Sequence, residues 1–162
     1  MEETSLLTPK CTLVPAHFYQ QASSRDILGE VVVLDEGDVV KAVEVRQYDS
    51  VLVYAAPSED TRAVPELWYV LRDLPGIQDY NKILASWKEG RLYLAIAQGN
   101  GLLLANSFEA PDFTTAEYYI FLALNQLQLN PEVSSIYWRH KISSEDEMSL
   151  YRYFRSVELL CG

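Results

Sequence analysis

The side chains that could do chemistry in this sequence do not stand in the spacings typical of an active site. Two cysteines and two histidines, Cys11, His17, His140 and Cys161, add up to a set of zinc ligands. They form no Cys-x2-Cys or His-x3-His pair, in which such ligands usually occur. Ser107 lacks the flanking glycines of a nucleophile elbow. The sequence therefore predicts no catalytic residue, no metal site and no cofactor.

Two polar segments that contain glycine could contact ions. Residues 35–38 (Asp-Glu-Gly-Asp) carry three carboxylates but lack the ligand spacing of a calcium loop. Residues 98–101 (Gln-Gly-Asn-Gly) could offer backbone amides to an anion. Asn-Gly is also a strong hairpin signal that needs no ligand. Both segments are predicted to be hairpin turns, and the chain contains neither a P-loop nor a dinucleotide fingerprint.

Aromatic residues are abundant and occur in clusters. The chain has 11 tyrosines and 3 tryptophans, and adjacent aromatics on a helix cannot all face one core. Tyr and Trp are frequent at protein interfaces because each has an apolar body and a polar tip. Side chains that only bridge core and surface remain the alternative. The candidate interface residues are Trp68, Tyr69, Tyr137, Trp138, Tyr151 and Tyr153.

Charge and composition exclude several classes of function. The 162 residues carry 13 Lys+Arg against 23 Asp+Glu, a net charge of -10. Binding to nucleic acid or to an anionic membrane requires basic patches, which this chain lacks. There is no recognisable signal peptide and no apolar run of about 20 residues. We expect a cytoplasmic protein with reduced cysteines and a protein partner or a homodimer.

The hydrophobic pattern places a helix end at residues 74–76 (Leu-Pro-Gly), which divides the chain into two parts. The division predicts a small α+β subdomain over residues 1–74 and a second domain over residues 75–162. Pro65 is expected in the first turn of the helix before this division, because proline inside the helix would break it. The predicted elements of the first part are strands over 11–14, 30–34, 39–46 and 51–56, a helix from Pro15 to about Ala22, and a helix ending near Asp73.

The second part follows the order β-β-β-α-β-α-β. Capping boxes at Thr114/Glu117 and Ser144/Glu147 mark the starts of its two helices. The predicted strands are 83–87, 92–97, 102–108, 133–138 and 157–160. Three antiparallel strands followed by strand-helix alternation are typical of a ribonuclease-H-like or actin-like half-domain, with right-handed crossovers.

Several segments resemble a known family. They include 101–108 (Gly-Leu-Leu-Leu-Ala-Asn-Ser-Phe), the helix start at 115–117 (Thr-Ala-Glu), 126–131 (Gln-Leu-Gln-Leu-Asn-Pro) and 150–155 (Leu-Tyr-Arg-Tyr-Phe-Arg). Upstream, 12–15 (Thr-Leu-Val-Pro) and 53–57 (Val-Tyr-Ala-Ala-Pro) also fit. Together they resemble a family of uncharacterised bacterial proteins, a domain of unknown function, with an actin-like ATPase fold. The chain resembles the C-terminal two-thirds of such proteins, and the resemblance implies a further N-terminal half-domain in them.

The resemblance implies a fold but no activity. The family pattern has a glycine after the fourth strand of the half-domain, where this chain continues from Trp138 into Arg139. An actin-like ATPase grips phosphate with a strand Asp and a turn rich in Gly and Ser or Thr, whereas the turn here is Lys-Glu-Gly (88–90). A ribonuclease-H-type nuclease needs carboxylates around two metals. The first strand lacks the required Asp, and helix starts explain Glu117 and Asp146.

The leading hypothesis is therefore a non-catalytic protein-interaction or scaffold module with a degenerate actin-like fold. The alternative is an ATP-binding protein whose cleft is completed by a second half-domain or by another chain. This alternative depends on fold analogy alone.

Overall fold

The computed structural model describes residues 5–160, which form ten strands and four α-helices. The elements before residue 74 are β1 (Ser5–Leu6), β2 (Cys11–Pro15), α1 (Ser24–Gly29), β3 (Val39–Val45), β4 (Ser50–Ala56), β5 (Val64–Pro65) and α2 (Glu66–Asp73). The later elements are β6 (Asn81–Lys88), β7 (Arg91–Gln98), β8 (Gly101–Glu109), α3 (Phe113–Gln126), β9 (Ser135–Trp138), α4 (Ser144–Tyr151) and β10 (Ser156–Leu159). No helix in this described range is both long and apolar enough to cross a bilayer.

The five-stranded sheet has the order β10-β9-β6-β7-β8. Strands β6, β7 and β8 are antiparallel neighbours, whereas β9 is parallel to β6 and β10 is parallel to β9. The parallel pairs require crossovers, which α3 and α4 supply. This topology confirms the predicted β-β-β-α-β-α-β order and the mixed α/β class.

The first part of the chain forms a three-stranded antiparallel sheet in the order β2-β4-β3, and β1 pairs with β5 in a separate short ladder. Strand β4 lies in the centre and is buried over six consecutive residues. Pro65 precedes the first residue of α2, where its fixed φ suits a helix start. The predicted strands 39–46 and 51–56 and the predicted start of α2 agree with the structure to within one residue.

The segment between β2 and β3 differs from the prediction. Residues 16–18 and 21–23 form two short 3-10 turns, and the α-helix begins only at Ser24. The predicted strand over 30–34 is absent, because the chain leaves α1 in a turn and finds no partner strand. Val32 and Leu34 pack on the core beside Leu28, whereas Val31 and Val33 are exposed. Residues 35–38 are consequently a helix-to-strand loop and not a hairpin.

Both predicted capping boxes are displaced by one or two residues. The Asp112 side chain accepts a hydrogen bond from the Thr115 amide and caps α3. The Ser143 side chain accepts one from the Asp146 amide and caps α4. In each case an earlier polar side chain reaches the free amides of the first turn, which is the function of an N-cap.

The five-stranded sheet is covered on both faces. On β7, Leu92, Leu94 and Ile96 contact the core under α3 and α4, and Tyr93 and Ala95 contact the core under α2. Because both faces of β7 are buried, its sequence is a nearly continuous run of apolar residues.

Helix α2 joins the two parts of the chain. Its residues Leu67, Val70 and Leu71 lie in one core with Leu84 of β6 and Leu52 of β4. The two predicted subdomains thus share apolar residues across the division at residue 74, and that boundary remains a prediction.

Candidate functional site

The carboxyl ends of β6 and β9 meet at one edge of the five-stranded sheet, because these two strands are parallel neighbours. Ser86 lies near the end of β6, and Arg139 and His140 follow β9 directly. The first residue of α2, Glu66, reaches the same edge. The topology thereby brings together residues that are up to 74 positions apart in the sequence. We call these four residues the Glu66 cluster.

Glu66 is the centre of this cluster. Its Oε2 atom accepts a hydrogen bond of 2.6 Å from the Ser86 hydroxyl and one of 2.9 Å from Arg139 Nε. His140 Nε2 lies 2.9 Å from the same oxygen. Glu66 is 0% exposed, and the Arg139 side chain is 10% exposed. A carboxylate this deeply buried requires a compensating charge, which Arg139 supplies.

The surroundings of Glu66 favour its ionised form. Burial acts to raise the pKa of this carboxyl group, but the Ser86 hydrogen bond and the Arg139 charge act in the opposite direction. Ser5 and His140 also lower it, and the resulting pKa lies below the ordinary value. Glu66 is therefore a charged structural anchor and not a proton donor near neutral pH.

A second set of contacts continues the Glu66 cluster along α2. Arg139 Nη1 donates to Asp73 Oδ2 at 3.1 Å, and Arg72 Nε donates to Asp73 Oδ1 at 2.8 Å. Both guanidinium groups lie near the Tyr69 ring, at 4.7 Å for Arg139 and 5.0 Å for Arg72. These cation–π contacts and ion pairs hold α2 against the end of β9. The arrangement connects two parts of the chain through charged groups.

The six predicted interface residues differ in their exposure to solvent: three are half-buried, two are exposed and one, Trp138, is buried. Trp68 and Tyr69 are half-buried on α2, and the Trp68 indole donates to the Glu44 carbonyl at 2.9 Å. Tyr137 is also half-buried, and its hydroxyl donates to Asp79 at 3.2 Å. Tyr151 and Tyr153 are each 47% exposed.

Trp138 does not fit the prediction, because its side chain is only 1% exposed and packs against Phe113 in the core. A strand residue on the helix-covered face of the sheet cannot reach a partner. The sequence could not show this, because Tyr137 and Trp138 are adjacent and only the pairing of β9 decides which of them faces α3.

Exposed residues cluster on α4 and just after it. Met148 is 70% exposed, and Tyr153 lies against Phe121 of α3 with ring centroids 4.8 Å apart. Helical spacing places Glu145, Met148 and Arg152 along one side of the helix. We call this region the α4 surface, and its members are Glu145, Met148, Tyr151, Arg152 and Tyr153. The aromatic clusters in the sequence predicted its tyrosines but gave no signal for Met148.

The candidate zinc ligands are dispersed in the described part of the chain. His140 contacts Glu66, His17 lies against Phe18, and Cys11 is half-buried on β2. Cys161 lies outside the described residues. Residues 5–160 contain no group of three metal-ligating side chains. Ser107, which lacks the flanking glycines of a nucleophile elbow, accepts a hydrogen bond from Arg91 at 3.2 Å.

The remaining polar segments have structural partners. Lys10 Nζ lies 3.0 Å from Asp35 and 2.7 Å from Asp38, and so it pairs with two of the three carboxylates of the acidic loop. In the turn between β7 and β8, Gln98 pairs with Gly101, so that Gly99 and Asn100 are the loop residues.

The turn after β6 places Glu89 at its centre with φ 48°. A carboxylate at this position repels phosphate.

No pattern in the sequence indicates that the four residues of the Glu66 cluster are neighbours. An acidic residue after Pro65 is ordinary in the first turn of a helix. Ser86 stands within an apolar strand, and Arg139 and His140 follow another. Only the packing of α2 against the carboxyl edge of the sheet makes them neighbours.

The strand order and the helices on the sheet define a protein with the actin-like ATPase fold. A crystal structure from Bacteroides thetaiotaomicron VPI-5482, described as a protein with an actin-like ATPase fold and unknown function, superposes with a TM-score of 0.78. The two sequences are 16% identical, and the match covers 95% of this chain and 66% of that one. The present chain thus spans about two-thirds of the length of that protein.

Residues 63–157, more than half of the chain, match the family described as "Protein of unknown function (DUF3822)". The chain belongs to this family, which confirms the predicted membership of an uncharacterised family with this fold. A search of curated proteins gives no match.

Proposed function

We propose that this protein is a non-catalytic interaction module that pairs with a second copy of itself through the α4 surface. The observation that carries the proposal is the set of apolar side chains on this surface, with Met148 70% exposed and two tyrosines 47% exposed. Exposed apolar clusters rimmed by charge mark interaction sites on soluble domains. Tyrosine adds contact area with little loss of conformational entropy.

The charges on α4 favour a second copy as the partner. The first turn carries Glu145, Asp146 and Glu147, and the end of the helix is followed by the exposed Arg152 and Arg155. In a two-fold symmetric contact each patch meets the same patch on its partner. Two antiparallel α4 helices would place the acidic end of one beside the basic end of the other, which gives electrostatic complementarity in spite of the net charge.

The carboxyl edge of the sheet supports a role without catalysis. The Oε2 atom of its central carboxylate, Glu66, is already engaged by Ser86, Arg139 and His140. The adjacent turn carries Glu89 where a phosphate-gripping hairpin would need neutral donors. Both observations disfavour the ATP-binding alternative.

The test is sedimentation velocity over a concentration series. The wild-type chain should self-associate, and Met148→Glu should shift it to monomer at the same concentration. Val33→Glu is the matched control, because Val33 is 84% exposed on a loop and the change in charge is identical. A wild-type protein that stays monomeric up to about 1 mM, the weak limit of specific association, would overturn the proposed dimer.

A charge exchange tests the antiparallel geometry. Arg152→Glu alone should weaken association by repelling the acidic end of the partner helix. Adding Glu145→Arg should restore association, because the pair is re-formed across the two-fold axis with its signs reversed. If the double variant is as monomeric as the single one, the antiparallel arrangement is wrong.

A thermal melt with MgATP distinguishes the alternative function. A ligand at a hundredfold excess over its Kd adds about 2.7 kcal/mol of stability. For a chain of this size that corresponds to a rise of roughly 5–10 °C in Tm. An unchanged Tm is expected, and a rise of this size would favour ATP binding over the interaction module.

A further inference from the structure

A cleft of about 500 Å³ lies where β2, at the edge of the three-stranded sheet, approaches β8, at the edge of the five-stranded sheet. Its walls come from residues 11–13 of β2 and residues 105–107 of β8, and α2 contributes Leu67. The volume falls in the range of small-molecule sites. This cleft is on the α2 side of the five-stranded sheet, opposite the α4 surface.

Arg91 is the cationic side chain among the residues that line the cleft. It is half-buried at the start of β7, and its Nη1 atom donates one hydrogen bond of 3.2 Å to Ser107. Within residues 5–160 no carboxylate oxygen lies within 4.0 Å of its guanidinium nitrogens. Glu109 is directly opposite Arg91 on β8 but forms no ion pair with it.

The Arg91 charge acts on the pKa of Cys11 and of Tyr93, and neither group compensates that charge. Burial raises the pKa of the Cys11 thiol to about 11, although the Arg91 charge acts to lower it. The Tyr93 hydroxyl also has its pKa raised, chiefly by burial, and has no hydrogen-bond partner. Both groups stay neutral near pH 7. A guanidinium group offers five donors, and only one hydrogen bond to a partner is present here.

We propose that this cleft binds a small organic anion whose carboxylate or phosphate lies on the Arg91 guanidinium. Thr12 and Asn106 line the same space and add polar residues to its walls. Leu13, Val32 and Leu67 provide an apolar wall for its body. Arginine is suited to this task because its planar fork matches the two oxygens of a carboxylate.

The probes are hexanoate and hexyl phosphate, with hexanol as the matched ligand that lacks the anionic head. Binding is followed by calorimetry and by the Nε–Hε NMR signal of Arg91 in the wild-type chain. At least one of the two anions should bind saturably and shift that signal, and hexanol should bind at least about tenfold more weakly. Equal binding of hexanol, or no saturable binding of either anion, would overturn the proposal.

The variants separate the guanidinium from the rest of the cleft. Arg91→Met keeps the length of the side chain and should weaken binding of the anion at least about tenfold. Arg46→Met is the control, because Arg46 is exposed and pairs with Glu44 far from the cleft. Glu109→Gln should leave the affinity unchanged or increase it, since a competing negative charge is removed.

A thermal melt shows whether each variant folds. If Arg91→Met does not fold, Arg91→Lys keeps the charge, and its loss of the bidentate fork should still weaken binding several-fold. Anion binding that is unchanged in a folded Arg91 variant would show that the guanidinium is not the site. Because the cleft and the α4 surface lie on opposite faces of the sheet, failure of this test would leave the self-association result unaffected.

Discussion

Replacing Glu66 by Gln should destabilise the protein strongly, because it removes the negative charge that compensates Arg139. The change conserves volume and keeps one oxygen acceptor. It also places an amide donor where the carboxylate now accepts from Ser86 and Arg139 at 2.6 and 2.9 Å. Arg139 would retain Asp73 as its second carboxylate partner.

Removing one partner of a buried ion pair destabilises a protein by about 3–5 kcal/mol. Because Arg139 keeps its contact with Asp73, we expect Glu66→Gln to lower the free energy of unfolding by about 3 kcal/mol. At about 2–4 °C per kcal/mol for a chain of this size, Tm should fall by roughly 6–12 °C. Urea unfolding followed by tryptophan fluorescence measures the same difference as a shift of the midpoint at constant slope.

The effect should depend on pH in a defined direction. The pKa of Glu66 is lowered in the folded state, so its contribution to stability is complete above the unfolded value of about 4.3 and is lost as the pH falls through the folded value. The wild type and Glu66→Gln should therefore differ most near pH 7 and converge in acid. The Gln variant should lack this part of the acid transition.

Glu44→Gln is the matched control. Glu44 pairs with Arg46, and the two side chains are 68% and 88% exposed. Exposed pairs of this kind contribute little, so this variant should melt close to the wild type. A loss below about 1 kcal/mol for Glu66→Gln, or a loss that stays the same as the pH is lowered from 7 through the folded pKa of Glu66, would refute the assigned role of the Glu66 cluster.

Two smaller predictions follow from the structure. Ser143→Ala should cost about 1 kcal/mol because it removes the N-cap of α4, whereas Ser144→Ala should stay within about 0.5 kcal/mol in the same urea titration. Equal losses would place the cap elsewhere. The Cys11 thiol, with its pKa raised to about 11 by burial, should react with iodoacetamide at pH 8 at least about a hundredfold more slowly in the folded than in the unfolded chain, as followed by peptide mass spectrometry. Rapid alkylation of the folded chain would contradict the raised pKa of the thiol.

The regular elements were predictable where the local sequence agrees with the tertiary environment. Strands β6, β7 and β8 combine apolar runs with turn residues, and the Gly99-Asn100 loop between β7 and β8 supplies the left-handed backbone that the hairpin needs. Pro65 similarly marks the start of α2. These signals act over a few residues, so they are present in the chain before it folds.

The errors arose where two local signals compete. The segment 30–34 has the β-branched residues of a strand, but no neighbouring strand is available to pair with it. Ser143 and Ser144 are adjacent candidate caps, and the choice between them depends on how the preceding loop enters the helix. A pattern cannot select between such alternatives, because the deciding contacts come from distant parts of the chain.

The sequence by itself determined the mixed α/β class, the order of strands and helices in the second part, and the likeness to an uncharacterised family with an actin-like fold. Periodicity and turn chemistry are local properties and suffice for these conclusions. Only the tertiary structure showed that Glu66, Ser86, Arg139 and His140 form one buried cluster, that Trp138 faces the core, and that Arg91 lines a cleft. Each of these depends on which strands become neighbours, and the free energy of that pairing is distributed over contacts between residues far apart in the chain.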